Sequence, residues 1–203
     1  MTAIQNKFLQ FLIIIFSLLF FISNSEVAFA NNSKEAEEFI SNISRRVLKI
    51  INSKALDDKK TKKLEEIFND VVDMNWMSKF AIAKFWKNMS DDQKSQYLAS
   101  YKKYLIKTYV PKFKEYNNQA VKIIGSKDLG NDQYQVMTQI LATKGTEKTT
   151  INISYRCKKD KGSFKIRNIT SEDFSLLSTQ RSEFAAVIEK GGIDNLIKTL
   201  EKK

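Results

Sequence analysis

The spacing of apolar residues changes near Asn117-Asn118, from three and four to two, and returns to three and four from Leu176 onward. Before that point apolar positions recur as along one face of a helix, and after it they alternate with polar neighbours as on a half-buried strand. A chain divided this way buries both halves by laying its helices over one face of a sheet, which is an α+β domain. In the helical part, Ala36, Phe39, Ile40, Ile43, Val47, Ile50 and Ile51 form one face. Asp57-Asp58 is a helix start, followed by the stripe Leu64, Ile67, Phe68 and Val71. Trp76, Phe80 and Ala83 share a face of the next segment, with Phe85 and Trp86 pointing elsewhere, so this segment is expected to be sandwiched. Ser90 and Gln93 have capping-box spacing and open a helix carrying Tyr97, Leu98, Tyr101, Tyr104, Leu105 and Tyr109. Pro111, the sole proline, should end or kink it.

The alternating part contains four runs: Val121 and Ile123; Tyr134, Val136, Thr138 and Ile140; Ile151, Ile153 and Tyr155; Phe164 and Ile166. Turn signals at Gly125–Asp132, Lys144–Thr146 and Lys158–Gly162 separate them, which predicts a four-stranded antiparallel meander with one buried face. A last helix bears Leu176, Leu177, Phe184, Val187 and Ile188, stops at Gly191-Gly192, and gives way to a short final helix through Ile193, Leu196, Ile197 and Leu200. At 203 residues the chain has room for one domain with a real core. Six glycines and one proline argue against a disordered or turn-dense all-β protein.

The amino terminus reads as an export signal. Lys7 is the one cation of Met1–Gln10, Phe11–Ile22 is apolar except for Ser17, and Ala28-Phe29-Ala30 supplies small residues at a cleavage site. Residues 1–30 are therefore expected to be removed after Ala30, leaving one domain over residues 31–203 in the periplasm. An uncleaved anchor would need roughly 20 apolar residues, more than this run offers. No cysteine lies near the cut, which excludes a lipoprotein. Lys7 and Glu26 cancel, so the mature chain keeps the net charge of +11. A basic cytosolic protein would suggest nucleic acid. On an exported one the charge points to anionic lipid or an acidic protein face, or simply to a solvated lysine-rich surface.

Chemistry is scarce. The absence of histidine removes histidine triads, proton shuttles and the usual zinc or iron ligand sets. Cys157 alone allows neither an internal disulfide nor a cysteine metal cluster, and it fits a small core position. There is no glycine-rich phosphate loop. The carboxylate pairs Asp57-Asp58, Glu65-Glu66 and Asp91-Asp92 sit near helix starts, where acids favour the dipole. Glu172-Asp173 could border a pocket but has no base partner, so no catalytic residue, metal or cofactor is assigned. What stands out is aromatic and aliphatic surface. Trp76, Phe80, Tyr97, Tyr101, Leu105 and Tyr109 should face Val136, Ile140, Ile151, Ile153, Tyr155, Phe164 and Ile166 of the sheet. Inward tyrosines need hydrogen-bond partners, which suits a partly wet cavity, although a closed core is the simpler reading of the pattern alone.

Two blocks carry a resemblance. One, within Leu64–Tyr116, has Val72-Asp73, Trp86, Ser90-Asp91-Asp92-Gln93 and the run Tyr97–Leu105; the other has Phe164–Ile169, Phe174-Ser175-Leu176 and Lys190–Leu196. In order and spacing they resemble the MlaC family of periplasmic phospholipid carriers, also called toluene-tolerance auxiliary proteins, from Phe39 to Leu200. Phe164 stands where a Trp is usual, Asn168 where an Asp is common, and Asp173 where a Gly usually precedes Val-Ser-Leu.

The resemblance implies a curved sheet under helices, like nuclear transport factor 2, around an apolar cavity that takes acyl chains and leaves the headgroup at its mouth. It implies lipid cargo shuttled between an outer-membrane lipoprotein–porin complex and an inner-membrane ABC transporter with MCE-domain subunits, by a monomer that maintains outer-membrane lipid asymmetry. The thirteen aromatic and aliphatic residues from Trp76 to Ile166 named above are then the lipid-binding candidates. Each buried methylene is worth about 0.8 kcal/mol, so two acyl chains in water would cost on the order of 20 kcal/mol that such a lining removes. Two alternatives remain: an isomerase or hydratase on the same fold, using Glu172, Asp173 or a tyrosine as base, and a periplasmic adaptor with a solid core.

Overall fold

The computed structural model describes residues 23–114, 120–144 and 147–202. Helix α1 (Ser23–Ile51) runs continuously past the predicted cleavage point, and residues 1–22 of the predicted export signal lie outside the described residues. Helix α2 (Asp57–Val71) starts at the acid pair foreseen for it and buries Leu64, Ile67, Phe68 and Val71. Two short helices, α3 (Met74–Ala81) and α4 (Ala83–Trp86), lead into the long α5 (Asp91–Lys114). The capping box is formed: Gln93 N donates to Ser90 Oγ and Ser90 N to Gln93 Oε1, both at 3.2 Å. Pro111 does not end α5 at once: it lies inside the helix, which runs on to Lys114, beyond which residues 115–119 are outside the described residues. In the last turn a proline sacrifices one backbone hydrogen bond, which a long helix tolerates.

The sheet is a meander in the order β1-β2-β3-β4-β5, all neighbours antiparallel. Its strands are β1 (Ala120–Gly130), β2 (Gln133–Lys144), β3 (Glu147–Asp160), β4 (Ser163–Ser171) and β5 (Phe174–Ser175). Two expectations change. A fifth, two-residue strand is added, because Glu172 (φ 45°) and Asp173 (φ 68°) turn the chain back onto β4. The supposed turn Gly125–Asp132 is strand for most of its length: β1 continues through Gly125 and the reversal is confined to Asn131 and Asp132, at φ 52° and 53°. The register slips between Ile123 and Gly125 and again between Asp128 and Gly130, so the glycines mark bulges that bend the edge strand. The Asn117-Asn118 boundary and the connection at residues 145–146 lie outside the described residues.

Helix α1 lies along the β1 side of the sheet. Ser126 Oγ donates to Glu37 Oε1 at 2.6 Å, and Lys159 Nζ reaches Asn32 Oδ1 at 2.8 Å and Glu35 Oε2 at 2.5 Å. The α2–α3 elbow is tied to the other side: Val72 bridges Ile166 in parallel and Asp73 N donates to the Ile166 carbonyl at 2.9 Å. Helix α6 (Leu176–Lys202) comprises two limbs parted at Gly191-Gly192, where Gly192 has φ 75°, open to glycine at no steric cost. Its first limb meets α5 through Tyr101–Gln180, and its second returns beside α5, with Gln93 Nε2 donating to Asp194 Oδ1 at 2.8 Å. Among the described residues no helix is long and apolar enough to cross a membrane.

Candidate functional site

Helix α5 has two unlike sides. On the α3/α6 side the interior is solid. Tyr97 and Tyr101 are wholly buried, and their hydroxyls donate to the Ser78 carbonyl at 2.9 Å and to Gln180 Oε1 at 2.8 Å. The Phe184 ring meets Tyr101 and Tyr104 edge-on, each at 6.1 Å. Burial raises both tyrosine pKa values, with the neighbouring Tyr101 acting on Tyr97 and Tyr109 on Tyr101. Tyr97 and Tyr101 are among the lipid-binding candidates, but both are buried with their hydroxyls satisfied by protein groups, as the closed-core reading of the pattern has it.

Toward the sheet the interior is hollow. A cavity of about 480 Å³ lies between the concave face of the sheet and helices α1, α2 and α5, within the roughly 300–1,000 Å³ range of small-molecule cavities. Its floor is apolar and closed by Leu64, Phe68, Val71, Val72, Met77 and Leu105, all buried. Ile40, Ile43, Val47 and Ile51 of α1 form one wall; Ile140, Ile153, Tyr155, Ile166 and Ile169 of the sheet form another. Ser44 also lines it, but its hydroxyl donates to the Ile40 carbonyl at 2.9 Å and adds little polarity. At the other end are Lys112, Phe174 and Thr179, all exposed, Phe174 by 78%. The mouth therefore lies between the end of α5, the β4–β5 hairpin and the start of α6.

That mouth is held by a polar clasp. Asn168 Oδ1 accepts from Leu177 N at 3.1 Å and its Nδ2 donates to Ser175 Oγ at 2.9 Å, while Ser178 N donates to the same Ser175 hydroxyl at 3.2 Å. The first turn of α6 is thus capped from β4 and β5. An amide does here with one side chain what a carboxylate could do only in part, because Asn both accepts and donates. Tyr109, in the wall near the mouth, has its pKa pushed up to about 12, chiefly by burial and then by Tyr104, with Gln180 opposing. It is a neutral hydroxyl at any physiological pH.

Of the candidates named from sequence, Leu105, Tyr109, Ile140, Ile153, Tyr155 and Ile166 come together around this cavity. Seven others lie elsewhere. Tyr97 and Tyr101 are in the solid core. Val136 is fully buried opposite Tyr155 in the β2–β3 ladder. Phe164 packs against Phe39 and Tyr134, at ring separations of 5.6 and 5.7 Å. Ile151 sits past the last β3–β4 pair, Ile153 with Ser171, where the wall ends.

Trp76 and Phe80 are half-buried against the core, away from the residues that line the cavity. They stack on each other at 4.9 Å, with the Arg167 guanidinium 4.8 Å from the Trp76 ring and that of Arg181 5.2 Å from Phe80. Asp73 fixes this placement: it caps α3 by accepting from Trp76 N at 3.1 Å, and its other oxygen takes Arg167 Nε at 2.8 Å. The inner face of α3 is instead Met77, Ser78 and Ala81. Residues of α1 and α2 supply much of the wall in their place, and their amphipathic stripes were the signal that could have found them. Cys157 is buried and free, its thiol pushed up to about 12 by burial. Among the described residues no group of three His, Cys, Asp or Glu side chains could hold a metal ion.

These features define a class: α+β domains in which helices and a meander close over an apolar chamber instead of a solid core. The profile of the family described as MlaC protein matches residues 41–202. The chain belongs to the MlaC family. It is 19% identical over 132 residues to the intermembrane phospholipid transport system binding protein MlaC of Haemophilus influenzae, a match covering 64% of this chain. The match spans 62% of that relative's length. Its fold is that of a phospholipid-binding protein from Ralstonia solanacearum solved in complex with a phospholipid. The TM-score is 0.67 at 22% identity, covering 80% of this chain and 93% of the other.

Proposed function

We propose that this chain is an exported phospholipid-binding carrier that shuttles lipid between the outer and inner membranes and so maintains outer-membrane lipid asymmetry. The observation that carries the reading is the apolar chamber, closed at the floor and open at one end. Family membership and the lipid held by the Ralstonia solanacearum protein support it. In this reading acyl chains enter between α1, α2 and the sheet, and the headgroup stays at Lys112 and Phe174. Burying about a dozen methylenes there offsets about 10 kcal/mol of aqueous exposure. The bilayer offers the chain a similar apolar setting, so transfer in either direction is nearly balanced. Direction then comes from partners, an outer-membrane lipoprotein–porin complex and an inner-membrane ABC transporter with MCE-domain subunits. The lysine-rich surface steers encounters with their acidic faces, less strongly as salt rises. The carrier acts as a monomer and performs no chemistry on its cargo.

The test is to express the full chain with its own leader, purify it from the periplasmic fraction without detergent, and extract it with solvent. Mass spectrometry should find near-stoichiometric phospholipid on a protein beginning at Asn31. Repeated recovery of lipid-free protein would sink the carrier reading, and an amino terminus at Met1 would sink cleavage after Ala30.

A further inference from the structure

Three residues of α5 line the cavity at successive depths: Leu105 at the closed floor, Tyr109 in the wall and Lys112 at the mouth. On one helix face, they are separated by about 6 and about 4.5 Å along the axis. The stripe grades from hydrocarbon through a phenol to a cation. A phospholipid that enters chains first presents acyl chain, glycerol ester and phosphodiester in the same order. Charges of both signs stand near the mouth, Lys112 on α5 and Glu172 and Asp173 in the β4–β5 turn, so charge there does not single out one headgroup. Behind the neutral phenol lies a donor without an acceptor. Gln180 is only 2% exposed; its Oε1 accepts from the Tyr101 hydroxyl at 2.8 Å, and its Nε2 has no partner among the described residues. The Tyr101 bond fixes which end of the amide donates. That end faces the Tyr109 hydroxyl and opposes the rise in its pKa, as a donor to a phenol oxygen does. Tyr104 and Glu183 also act on Tyr109 through space, but neither is hydrogen-bonded to it among the described residues. A phenol oxygen approached by a donor from behind still carries its own proton, which Tyr109 keeps at any physiological pH.

Resting on the lipid-cavity reading above, we propose that Tyr109 is an ester-recognition residue: positioned by Gln180, its hydroxyl donates to an acyl ester carbonyl of the bound lipid and makes the cavity selective for ester-linked over ether-linked chains. Tyr109 touches the lipid, and Gln180 is a positioning residue held in turn by Tyr101. An ether-linked chain has no carbonyl, so burying it beside Tyr109 leaves the phenol proton without a good acceptor. Headgroup, phosphodiester and hydrocarbon are the same in both kinds of lipid, so they drive uptake without discriminating. The preference expected is about fivefold, the scale of one neutral hydrogen bond.

The full chain is incubated with vesicles of equimolar diester and diether phosphatidylglycerol, identical in headgroup and chain length. It is then re-isolated and its bound lipid quantified by mass spectrometry. Dividing the diester-to-diether ratio of each protein by that of Tyr109→Phe cancels any bias of the vesicles themselves. Wild type should then favour the diester lipid about fivefold. Tyr109→Phe should keep total bound lipid and an unchanged circular dichroism spectrum, because burial of the chains dominates uptake. Gln180→Met, which removes the amide at similar bulk, should fall toward the Tyr109→Phe ratio; measured against wild type, it replaces that variant should Tyr109→Phe fail to fold. Tyr104→Phe, a phenol of the same helix outside the cavity lining, should keep the wild-type ratio. Equal ratios in wild type and Tyr109→Phe, or the full preference kept in Gln180→Met, overturn the proposal while leaving the carrier reading intact. An equal loss in Tyr104→Phe assigns the effect to the packing of α5 and overturns it as well. Wild type that takes up neither lipid overturns both.

Discussion

The two sides of helix α5 are built from similar residues and do opposite things. Toward α3 and α6, tyrosines and a phenylalanine are locked by hydrogen bonds to Ser78 and Gln180 and by edge-on ring contacts. Toward the sheet, Leu105 and Tyr109 face the 480 Å³ cavity bordered by Ile and Val side chains. The contrast teaches that hollowness is set by what reaches across, not by hydrophobicity. On the packed side each large ring meets another ring. On the hollow side β-branched side chains from a curved sheet and from α1 stop short of one another, and the bulges in β1 help hold the curvature.

The sharpest way to break this comparison is to remove a large side chain from each side. Phe184→Ala should cost about 3–5 kcal/mol, since two tyrosine rings lose their partner in a region with no slack. Ile153→Ala, in the wall of the hollow, should cost only about 2 kcal/mol, because its inner surface already lacks contacts. Urea denaturation of lipid-free protein measures both; equal losses would mean that the hollow collapses in solution. Next in size is Tyr101→Phe, which strands Gln180 Oε1 in the buried core. Gln180 Nε2 has no partner at hydrogen-bonding geometry among the described residues, although the Tyr109 hydroxyl faces the same amide. The variant should lose about 1–3 kcal/mol with lipid content unchanged. A fall in bound lipid at full stability would show that this network shapes the cavity as well as the core.

Filling the hollow gives the converse. Ile153→Trp should reduce bound lipid about tenfold, equivalent to about 1.4 kcal/mol of binding, while stability stays near that of wild type. Solvent extraction and mass spectrometry report the first, and urea denaturation the second. Undiminished lipid would place the chains elsewhere than against β3.

How much of this was legible beforehand follows the same divide. Periodicity located the helices, the meander and the break at Gly191-Gly192, because burial of one face writes itself into spacing. It also located the sheet wall of the cavity, as Ile140, Ile153, Tyr155 and Ile166 share the buried face. The opposite wall was misplaced. An aromatic pair such as Trp76 and Phe80 does pack on the core, yet Asp73 and Arg167 hold these half-buried rings under two guanidinium groups and off the cavity wall. That arrangement depends on a contact between residues 94 positions apart, which no local spacing encodes. Whether a tyrosine hydroxyl meets protein or open space is likewise decided by distant chain. Strand ends fared worst: β1 runs through Gly125 because bulges absorb the glycine, where composition alone suggested a turn.

The smallest effect concerns the rim of the hollow. Glu172 and Asp173 form the two-residue turn between β4 and β5, both with positive φ. Glu172 has a reason to be there, since its Oε1 accepts from Asn152 N at 2.8 Å and its own N–H donates to the Asn152 carbonyl at 3.3 Å. Asp173 makes no such bond among the described residues, and at φ 68° its Cβ crowds the backbone. A left-handed conformation costs a side-chain-bearing residue about 1–2 kcal/mol, somewhat less for Asp. Glycine removes that strain but loses more entropy on folding. Asp173→Gly should therefore stabilise the protein by about 0.5 kcal/mol, read as a small rise in Tm, with lipid uptake unchanged. A destabilised variant would refute the strain. A stabilised variant that takes up lipid more slowly would be more informative: Phe174 follows directly at the cavity mouth, so the strained turn would then be part of how the hollow side opens, a role the packed side of α5 has no means to share.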